Sequence, residues 1–483
     1  MTPLTRITGW MPDADPFAPG VITACEMMEP SVRGMKAAAS AADSPIAALS
    51  AECRGAALVT KLDGTKRLLA GTQTRIYEAD STAWVDYSAA SYTGAAESRW
   101  EFRQFGDVTL AVNGVDEPQV STATTFAALT AMPVAKLVET VAGFVMVANV
   151  SDASFPYADG WWCSALLNET DWTPDVATQS ANGRLTETPG EITALRSLGG
   201  DVVAFKAESM YVGRYVGPDV IWAWQRVPGD VGAYAQQGVV SDGTALYWWG
   251  GDDFYRFDGS RPQTIGEPVR RTFAAEASQA YLFKMLGQYD RAKSLVRWYY
   301  VPNGAATPTH CIVFNTRTGA WGRADREVEA IVDYVSNAVT YDAAGALAAA
   351  TYNSVAFPQS YNSPLWTAST EIPALFNASH VLQTLSGVAG ASSLTTGEIG
   401  DDDQYLVLRK VRVRYPDAPT SATMTHAYAA NPGGAYTTGS TSAEDDGKFD
   451  VLRASRWHRL RWEFTGDVEV SGYTVDVVPQ GTR

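Results

Sequence analysis

A strand–turn–strand unit recurs along the chain every 40 to 50 residues or so, and it constrains the fold more than any other feature. Each copy has an apolar strand, a tight turn containing Gly or Asn, and a second strand that ends in an aromatic residue. The clearest copy runs from Ala245 to Gly259 and reads ALYWWGGDDFYRFDG. Aromatic side chains fill a pleated surface while Gly, Asn and Asp form turns, so these units predict antiparallel strands.

A single hairpin of this kind is marginal in water, because it cannot bury its two faces alone. A ring of such units covers each sheet with its neighbours, which is the propeller solution. We count about six units between residues 52 and 330, with an extra hairpin near Val332 to Tyr352. The sequence therefore predicts a mainly β protein with a β-propeller of about six blades. A few stacked β-sandwiches share the same strand–turn rhythm and are the alternative.

The pattern changes on both sides of the repeats. Residues 1–51 contain six prolines and predict an extended N-terminal arm lying on other surfaces. After residue 365 long alternating strands replace the short units, as in Tyr405 to Tyr415 and Arg456 to Phe464. These strands predict a C-terminal β-sandwich over residues 366–483, which leaves residues 52–365 for the propeller.

Charge and cysteine usage exclude several classes of protein. Asp and Glu number 53 against 37 Lys and Arg, a net charge of −16, which argues against a sequence-indifferent coat on DNA or RNA. Four cysteines lie far apart without a C-x-x-C pair, so neither a zinc ribbon nor a disulfide framework is expected. No apolar stretch is long enough to span a bilayer and no signal-peptide h-region is visible. We expect a protein made in a reducing cytoplasm, without stable membrane insertion.

Motifs for catalysis are missing from the sequence. It contains no H-E-x-x-H, no G-x-S-x-G elbow, no phosphate-binding loop and no dinucleotide fingerprint. Propellers often host glycosidases that use two carboxylates, but Asp252 and Asp253 follow a Gly-Gly pair and read as turn formers. The run Asp401-Asp402-Asp403 lacks the Ca²⁺-loop pattern and reads as a solvated loop. We therefore predict no catalytic site, no cofactor and no metal site.

Arginines on two C-terminal strands are the most informative charged feature. Arg412 and Arg414 alternate with valines, and Arg459 and Arg461 flank Leu460, so each pair lies on one sheet face. Such a face either contacts DNA or an acidic neighbour, or carries cross-strand ion pairs to acids such as Glu463 and Asp467. The acidic net charge favours a protein partner over DNA. The predicted subunit or partner interface consists of Arg412, Arg414, Arg459, Arg461, Asp401, Asp402 and Asp403.

Several segments together resemble one known family. After an N-terminal arm rich in Pro and Gly come Arg103 to Gly114 (RQFGDVTLAVNG), Gly190 to Leu195, Val203 to Lys206, Leu246 to Gly250 and Arg456 to Arg461. In this order they are similar to the tail nozzle proteins of short-tailed bacteriophages, also called tail tubular protein B or packaged-DNA stabilisation protein. The resemblance covers most of the chain as a series of loose motifs.

This resemblance implies a structural protein of the virion tail, made in the bacterial host cytoplasm. It implies a homo-hexamer on a β-propeller, below the portal and next to the head-to-tail adaptor ring, with tail fibre or tail needle proteins as further partners. Viral DNA would pass through the lumen without specific binding, because an acidic channel repels phosphate. The alternative is a carbohydrate-binding or glycan-cleaving β-propeller. A propeller scaffold of the WD kind lacks support, since its Gly-His and Trp-Asp repeats are missing.

Overall fold

A computed structural model of the protein describes residues 4–335, 371–431 and 434–482. Over these residues the chain is mainly β and forms many small antiparallel sheets, as the sequence predicted. Regular helix in this part is confined to α1 (Arg270–Glu276) and a 3₁₀ helix (Gln279–Lys284). Neither helix is long and apolar enough to cross a membrane.

The N-terminal segment contributes strands to four different sheets. Its strands are β1 (Thr5–Arg6), β2 (Ile22–Glu26), β3 (Met28–Pro30), β4 (Met35–Ala37) and β5 (Ser40–Asp43). Each of these strands pairs with at least one strand from beyond residue 320. The segment is extended, but it is built into the sheets and does not merely lie on them.

Seven antiparallel sheets follow in chain order among the described residues, and each contains at least four strands. Sheet 1 contains β6 (Ala56–Thr60), β7 (Lys66–Gly71), β8 (Ile76–Ala79) and β9 (Trp84–Asp86). Sheet 2 contains β10 (Glu101–Phe105), β11 (Val108–Val112), β12 (Gln119–Ser121) and β13 (Ala127–Ala128). Sheet 3 contains β14 (Ala135–Val141), β15 (Phe144–Val150), β16 (Gly160–Cys163) and β17 (Ala181–Arg184). Sheet 4 contains β18 (Ala194–Leu198), β19 (Asp201–Phe205), β20 (Met210–Gly217) and β21 (Ile221–Arg226).

Sheet 5 contains β22 (Val240–Ser241), β23 (Leu246–Trp249), β24 (Phe254–Phe257) and β25 (Gln263–Thr264). Sheet 6 contains β26 (Leu286–Asp290), β27 (Leu295–Tyr300), β28 (His310–Asn315) and β29 (Trp321–Arg323), and is extended by β3 and β4. Sheet 7 contains β30 (Ala330–Val335), β31 (Glu371–Phe376) and β32 (Leu382–Gly387), with β5 as its fourth strand.

These seven sheets form a ring in which neighbouring first strands meet. Contacts join β6 to β10, β10 to β14, β14 to β18, β22 to β26 and β26 to β30, and β30 returns to β6. Sheets 4 and 5 pack through a shared cluster that includes Phe205 and Trp248. The described residues thus contain seven such sheets where the sequence predicted about six. The predicted extra hairpin near Val332 to Tyr352 overlaps β30, whose described partner β31 lies beyond that range. Residues 336–352 of that prediction lie outside the described residues.

The C-terminal part forms two further sheets that share one core. Its strands are β33 (Ala391–Thr396), β34 (Ile399–Gly400), β35 (Gln404–Arg414), β36 (Ser421–Ala429), β37 (Thr437–Ala443), β38 (Phe449–Ser455), β39 (Trp457–Thr465), β40 (Glu469–Val470) and β41 (Gly472–Thr482). Sheet 8 has the order β1-β41-β35-β38, and sheet 9 has the order β2-β33-β39-β36-β37 with β34 on β39. Leu408 and Val411 of sheet 8 belong to the same buried cluster as Met424 and Trp462 of sheet 9.

The predicted boundary between residues 365 and 366 does not coincide with the sheets. Strands β31 and β32 lie beyond it, yet they pair with β30 and belong to sheet 7. Strand β40 extends sheet 6 through β4. The boundary was placed by a change in composition, whereas strand pairing is decided by which open sheet edge remains to be filled.

Aromatic side chains of the repeated unit anchor the ring, as the alternating pattern predicted. Trp248 is fully buried, its Nε1 donates a hydrogen bond of 2.8 Å to the carbonyl of Gly232, and its ring centroid lies 5.0 Å from that of Phe205. Phe254 is also fully buried, and Tyr255 stacks on Trp248. The contact between Trp248 and Phe205 joins sheet 5 to sheet 4.

We expect Trp248→Ala to lower the free energy of unfolding by about 3–5 kcal/mol, because it removes a large buried ring and leaves a cavity between two sheets. Denaturant unfolding followed by circular dichroism measures this change. Leu62→Ala is the control: Leu62 is 78% exposed, so its truncation should change stability by less than about 0.5 kcal/mol. Equal effects of both substitutions would contradict the packing of Trp248 described above.

A buried ion-pair network attaches the N-terminal segment to sheet 6. Glu29 of β3 accepts a hydrogen bond of 2.9 Å from Nε of Arg297, and Nζ of Lys293 lies 3.2 Å from its other oxygen. Arg297 is 1% exposed and also pairs with Asp290 at 3.1 Å. Burial alone would raise the pKa of Glu29, but Arg297 and Lys293 outweigh it and lower this pKa to about 2.

We expect Glu29→Gln to lower the free energy of unfolding by about 3–5 kcal/mol, because it removes one charge of a buried pair and leaves Arg297 undercompensated. Glu463→Gln, at the exposed pair with Arg461, should cost less than about 1 kcal/mol. Denaturant titrations at neutral pH compare the two variants. If Glu29→Gln lowered the free energy of unfolding as little as Glu463→Gln, the buried ion pairs of Glu29 would not attach the N-terminal segment to sheet 6.

Candidate functional site

A cavity of about 430 Å³ lies where the first strands of the ring converge. Charged side chains that line it form ion pairs with carboxylates of other sheets. Arg196 of β18 pairs with Glu101 of β10 at 3.4 Å, and Arg103 of β10 pairs with Glu139 of β14 at 3.2 Å. Nη2 of Arg196 also donates 2.8 Å to the carbonyl of Gln236. These groups therefore connect neighbouring sheets at the centre of the ring.

Asp333 of β30 differs from the other acids of this cavity. Burial raises its pKa to about 6, and the carboxylates of Glu371 and Asp290 add to the shift. Gln288 is 5% exposed and donates its Nε2 to the carbonyls of Val332 and Ala374, so its Oε1 has no partner among the described residues. The Gln288 side chain opposes this rise in the pKa of Asp333, because its hydrogen bond favours the ionised carboxyl.

The predicted arginines of β35 lie on the outer face of sheet 8. Val411 and Val413 point into the core, so Arg412 and Arg414 point outward, and neither makes an ion pair with a described residue. Arg414 and Arg6 both lie opposite Gly472 in register, one on each side of β41. Because Gly472 has no side chain, Arg6, Arg412 and Arg414 form one basic face, named here the sheet 8 basic face. Sequence reasoning missed Arg6, which lies more than 400 residues away from Arg412.

The two arginines of β39 are used within the chain. Arg459 donates 3.0 Å to Glu398, and its guanidinium lies 4.2 Å from the ring centroid of Tyr436. Arg461 contacts Glu26 and Glu463, both at 3.2 Å. This matches the cross-strand ion-pair alternative for Arg459 and Arg461. Asp467 instead accepts the backbone N–H of Ala389.

The three predicted aspartates are exposed at the start of β35. Asp401 caps this strand: its Oδ1 accepts the backbone N–H groups of Asp403 and Gln404 at 2.8 and 3.1 Å. No described cation pairs with Asp401, Asp402 or Asp403, and the structure does not bring them into contact with the sheet 8 basic face.

Other candidate residues have structural partners. Asp253 accepts the backbone N–H groups of Phe254 and Gly266, and Asp252 accepts the hydroxyl of Tyr255. All four cysteines are buried and free, and burial raises their thiol pKa. Across the described ranges, no group of three or more His, Cys, Asp or Glu is arranged to hold a metal ion.

A buried histidine pair joins sheets 8 and 9. Nε2 of His458 lies 3.1 Å from the carbonyl of Leu406 in sheet 8, so this nitrogen carries the proton. Its Nδ1 therefore accepts from Nε2 of His426 at 2.8 Å, and both rings are neutral. Burial lowers the pKa of His426 to about 4, helped by His458 and Arg453, and burial also lowers the pKa of His458. The sequence separates the pair by 32 residues and carries no local signal for it.

Acid should therefore destabilise the C-terminal sheets. Below the ordinary histidine pKa of 6.5 the unfolded chain binds a proton at His426 that the folded chain does not bind until about pH 4. The contribution of His426 to stability is complete above pH 6.5 and falls between pH 6.5 and 4, by up to about 1.4 kcal/mol per pH unit. His458, whose pKa burial also lowers, adds to the loss in the same direction. His426→Gln retains a hydrogen-bond donor but does not titrate. We therefore expect the unfolding free energy of this variant to change less between pH 6.5 and 4 than that of the wild type. Unfolding free energies at several pH values compare the two chains; an identical slope would refute the assignment.

Comparisons with known proteins give no family. No protein-family model matches the chain, and no curated protein matches it. Among solved structures, it is similar to an exo-β-1,3-galactanase from Phanerochaete chrysosporium (10% identity, TM-score 0.29, 91% of this chain and 100% of that chain). It is also similar to the extracellular domain of a putative one-component system from B. thetaiotaomicron (6% identity, TM-score 0.41, 87% of this chain and 48% of that chain).

A third similar structure is the Pan2 WD40 domain of Neurospora crassa (8% identity, TM-score 0.37, 68% of this chain and 88% of that chain). These similarities are too distant to say what this chain does. The described residues form a mainly β protein of many small antiparallel sheets.

Proposed function

We propose that this chain is a structural protein of the virion tail, a tail nozzle of a short-tailed bacteriophage. In this proposal the seven sheets are the blades of a β-propeller, and sheets 8 and 9 form a β-sandwich beside it. Copies of the chain assemble into a homo-hexameric ring next to the adaptor ring, with tail fibre or tail needle proteins as further partners.

The observation that carries this proposal is the sheet 8 basic face on an acidic protein. Arg6, Arg412 and Arg414 are brought together by strand register, and none of them has a carboxylate partner among the described residues. Guanidinium groups form strong paired hydrogen bonds with carboxylates. Since the chain has a net charge of −16, a second copy offers many acids, including the exposed Asp401 to Asp403. We therefore assign this face to a contact between copies.

DNA would pass through the axis of the assembled ring and not through the cavity within one chain. A cavity of about 430 Å³ has the size of a small-molecule pocket and cannot admit a DNA duplex. Six copies at −16 each carry about −96, so the assembly repels phosphate and DNA slides without being held.

We expect Arg412→Glu combined with Arg414→Glu to prevent ring assembly while the monomer remains folded, because the substitutions place like charges against the acids of the neighbour. Negative-stain imaging and mass measurement would show a six-fold ring for the wild type and monomers for the variant. The wild type should show negligible affinity for duplex DNA at physiological salt.

The matched control is Arg261→Glu combined with Arg317→Glu, which changes the net charge equally at two exposed arginines outside sheets 8 and 9. This control variant should still assemble. Normal assembly of the Arg412 and Arg414 variant, or tight DNA binding by the wild type with a steep salt dependence, would overturn the proposal.

One observation favours the second candidate, a carbohydrate-binding or glycan-cleaving protein. Asp333 has a pKa of about 6 and shares a cavity with Glu371, and glycosidases pair a protonated with an ionised carboxyl. A stable monomer that binds or cleaves glycans, and loses this activity with Asp333→Asn, would favour this candidate over the nozzle.

A further inference from the structure

An apolar patch lies at the outer rim of sheets 3 and 4. Its side chains come from two places, the loop between β16 and β17 and the hairpin of β20 and β21. They are between 38% and 74% exposed and are named here the sheet 3–4 rim: Leu167, Val176, Tyr215, Val216 and Val220. Single exposed apolar side chains are common, but a group of this size on one surface indicates a binding partner.

Contacts between the loop and the hairpin join them into one surface. The hydroxyl of Tyr215 bonds to Oε1 of Gln179 in the loop between β16 and β17. The ring centroid of Tyr215 also lies 5.4 Å from that of Phe144. Next to Phe144, the carbonyl of Gly143 accepts the backbone N–H of Leu167 at 2.8 Å. The exposed side chains of both segments therefore form one patch across two sheets.

The hairpin of β20 and β21 is held in one shape by its buried side. Ile221 has a φ of 63°, a left-handed conformation that β-branched residues rarely adopt. Its side chain is buried in a cluster with Phe144 and Trp222. Such strain persists where the surrounding structure determines the conformation. Val216 and Val220 are therefore presented to solvent by a packed hairpin.

The surroundings of this patch are acidic. Residues 137–183 contain six Asp and Glu but no Lys or Arg. Glu169 and Asp219 lie beside the sheet 3–4 rim in the chain, and neither carboxylate has an ion-pair partner among the described residues. Arg214 of β20 is the nearby cation, and it is paired with Asp201 at 3.1 Å. The rim is therefore an apolar surface next to uncompensated negative charge.

The sheet 8 basic face has the opposite charge. Its arginines lack carboxylate partners among the described residues, and its neighbours Lys410 and Asp476 neutralise each other at 3.7 Å. Leu4 adds apolar surface, because it is exposed and its Cδ1 lies against Gly472, the residue between Arg6 and Arg414 in register. Positive charge beside apolar surface on sheet 8 thus matches negative charge beside apolar surface on sheets 3 and 4.

We propose that the sheet 3–4 rim receives the sheet 8 basic face of a second copy of the chain. This inference rests on the proposed function, in which sheet 8 contacts a neighbouring copy. The C-terminal sheets pack on sheets 5 and 6 through a cluster that includes Trp249, Trp298 and Trp462, whereas sheet 3 lies three places from sheet 6 in the ring. The two surfaces therefore lie on different parts of one copy. Each copy can bind two neighbours head to tail, and such contacts close into a ring.

A charge swap tests whether these two surfaces meet. Glu169→Arg combined with Asp219→Arg should raise the concentration at which half of the chains assemble by about tenfold or more, because like charges then face each other. Adding Arg412→Glu and Arg414→Glu restores opposite charges, so the variant with all four substitutions should assemble within about threefold of the wild-type concentration. Sedimentation velocity over a concentration series measures assembly, and circular dichroism checks that each variant is folded.

The matched control is Glu187→Arg combined with Glu208→Arg, which changes the net charge equally. Both acids are exposed near the turn between β19 and β20, at the other end of sheet 4. This control should assemble at the wild-type concentration.

The outcomes separate this inference from the function on which it rests. A wild type that stays monomeric would overturn both. A wild-type ring that the Glu169 and Asp219 variant also forms at the same concentration would overturn this inference alone. Rescue of the Arg412 and Arg414 variant by Asp402→Arg combined with Asp403→Arg would do the same, because the contact between copies would then use those acids.

Discussion

The ring of sheets depends on strands from both ends of the chain meeting in the same sheets. Strand β5 fills the open edge of sheet 7 by pairing with β32, and β3 extends sheet 6. Through β3, Glu29 reaches the buried guanidinium of Arg297, and the two opposite charges compensate each other. An unfilled edge strand presents unpaired N–H and C=O groups, so this pairing also removes a surface at which chains would associate wrongly.

The sequence predicted those parts of the fold that are written in local patterns. Alternating aromatic and turn residues identified the hairpin of β23 and β24 between Ala245 and Gly259, and the burial of Trp248 and Phe254 agrees with the same pattern. Sheet 7 was harder, because β30 and β31 are separated by 35 residues and its fourth strand comes from the N-terminal segment. Local periodicity shows that a strand exists, but it does not show which distant strand is its partner.

The same limit applies to the candidate sites. Alternation correctly placed Arg412 and Arg414 on an exposed face, but their neighbour Arg6 was recognisable only from the register of β1 against β41. Arg459 has the same sequence pattern as Arg412, yet it lies near Glu398 and is therefore paired. Charge patterns thus indicate which face an arginine occupies, while three-dimensional proximity decides whether it is available to a partner.

The pairing of β5 with β32 sets an order of events during synthesis. Asp43 and Gln383 are 340 residues apart, and a ribosome that adds about 5–20 residues per second needs roughly 20 to 70 s to cover that distance. Throughout this time β5 has left the ribosome without a strand to bind. Strand β1 waits still longer, because its partner β41 is the last strand of the chain. Ring closure is thus a late step, and a nascent chain released before residue 382 ends with sheet 7 open.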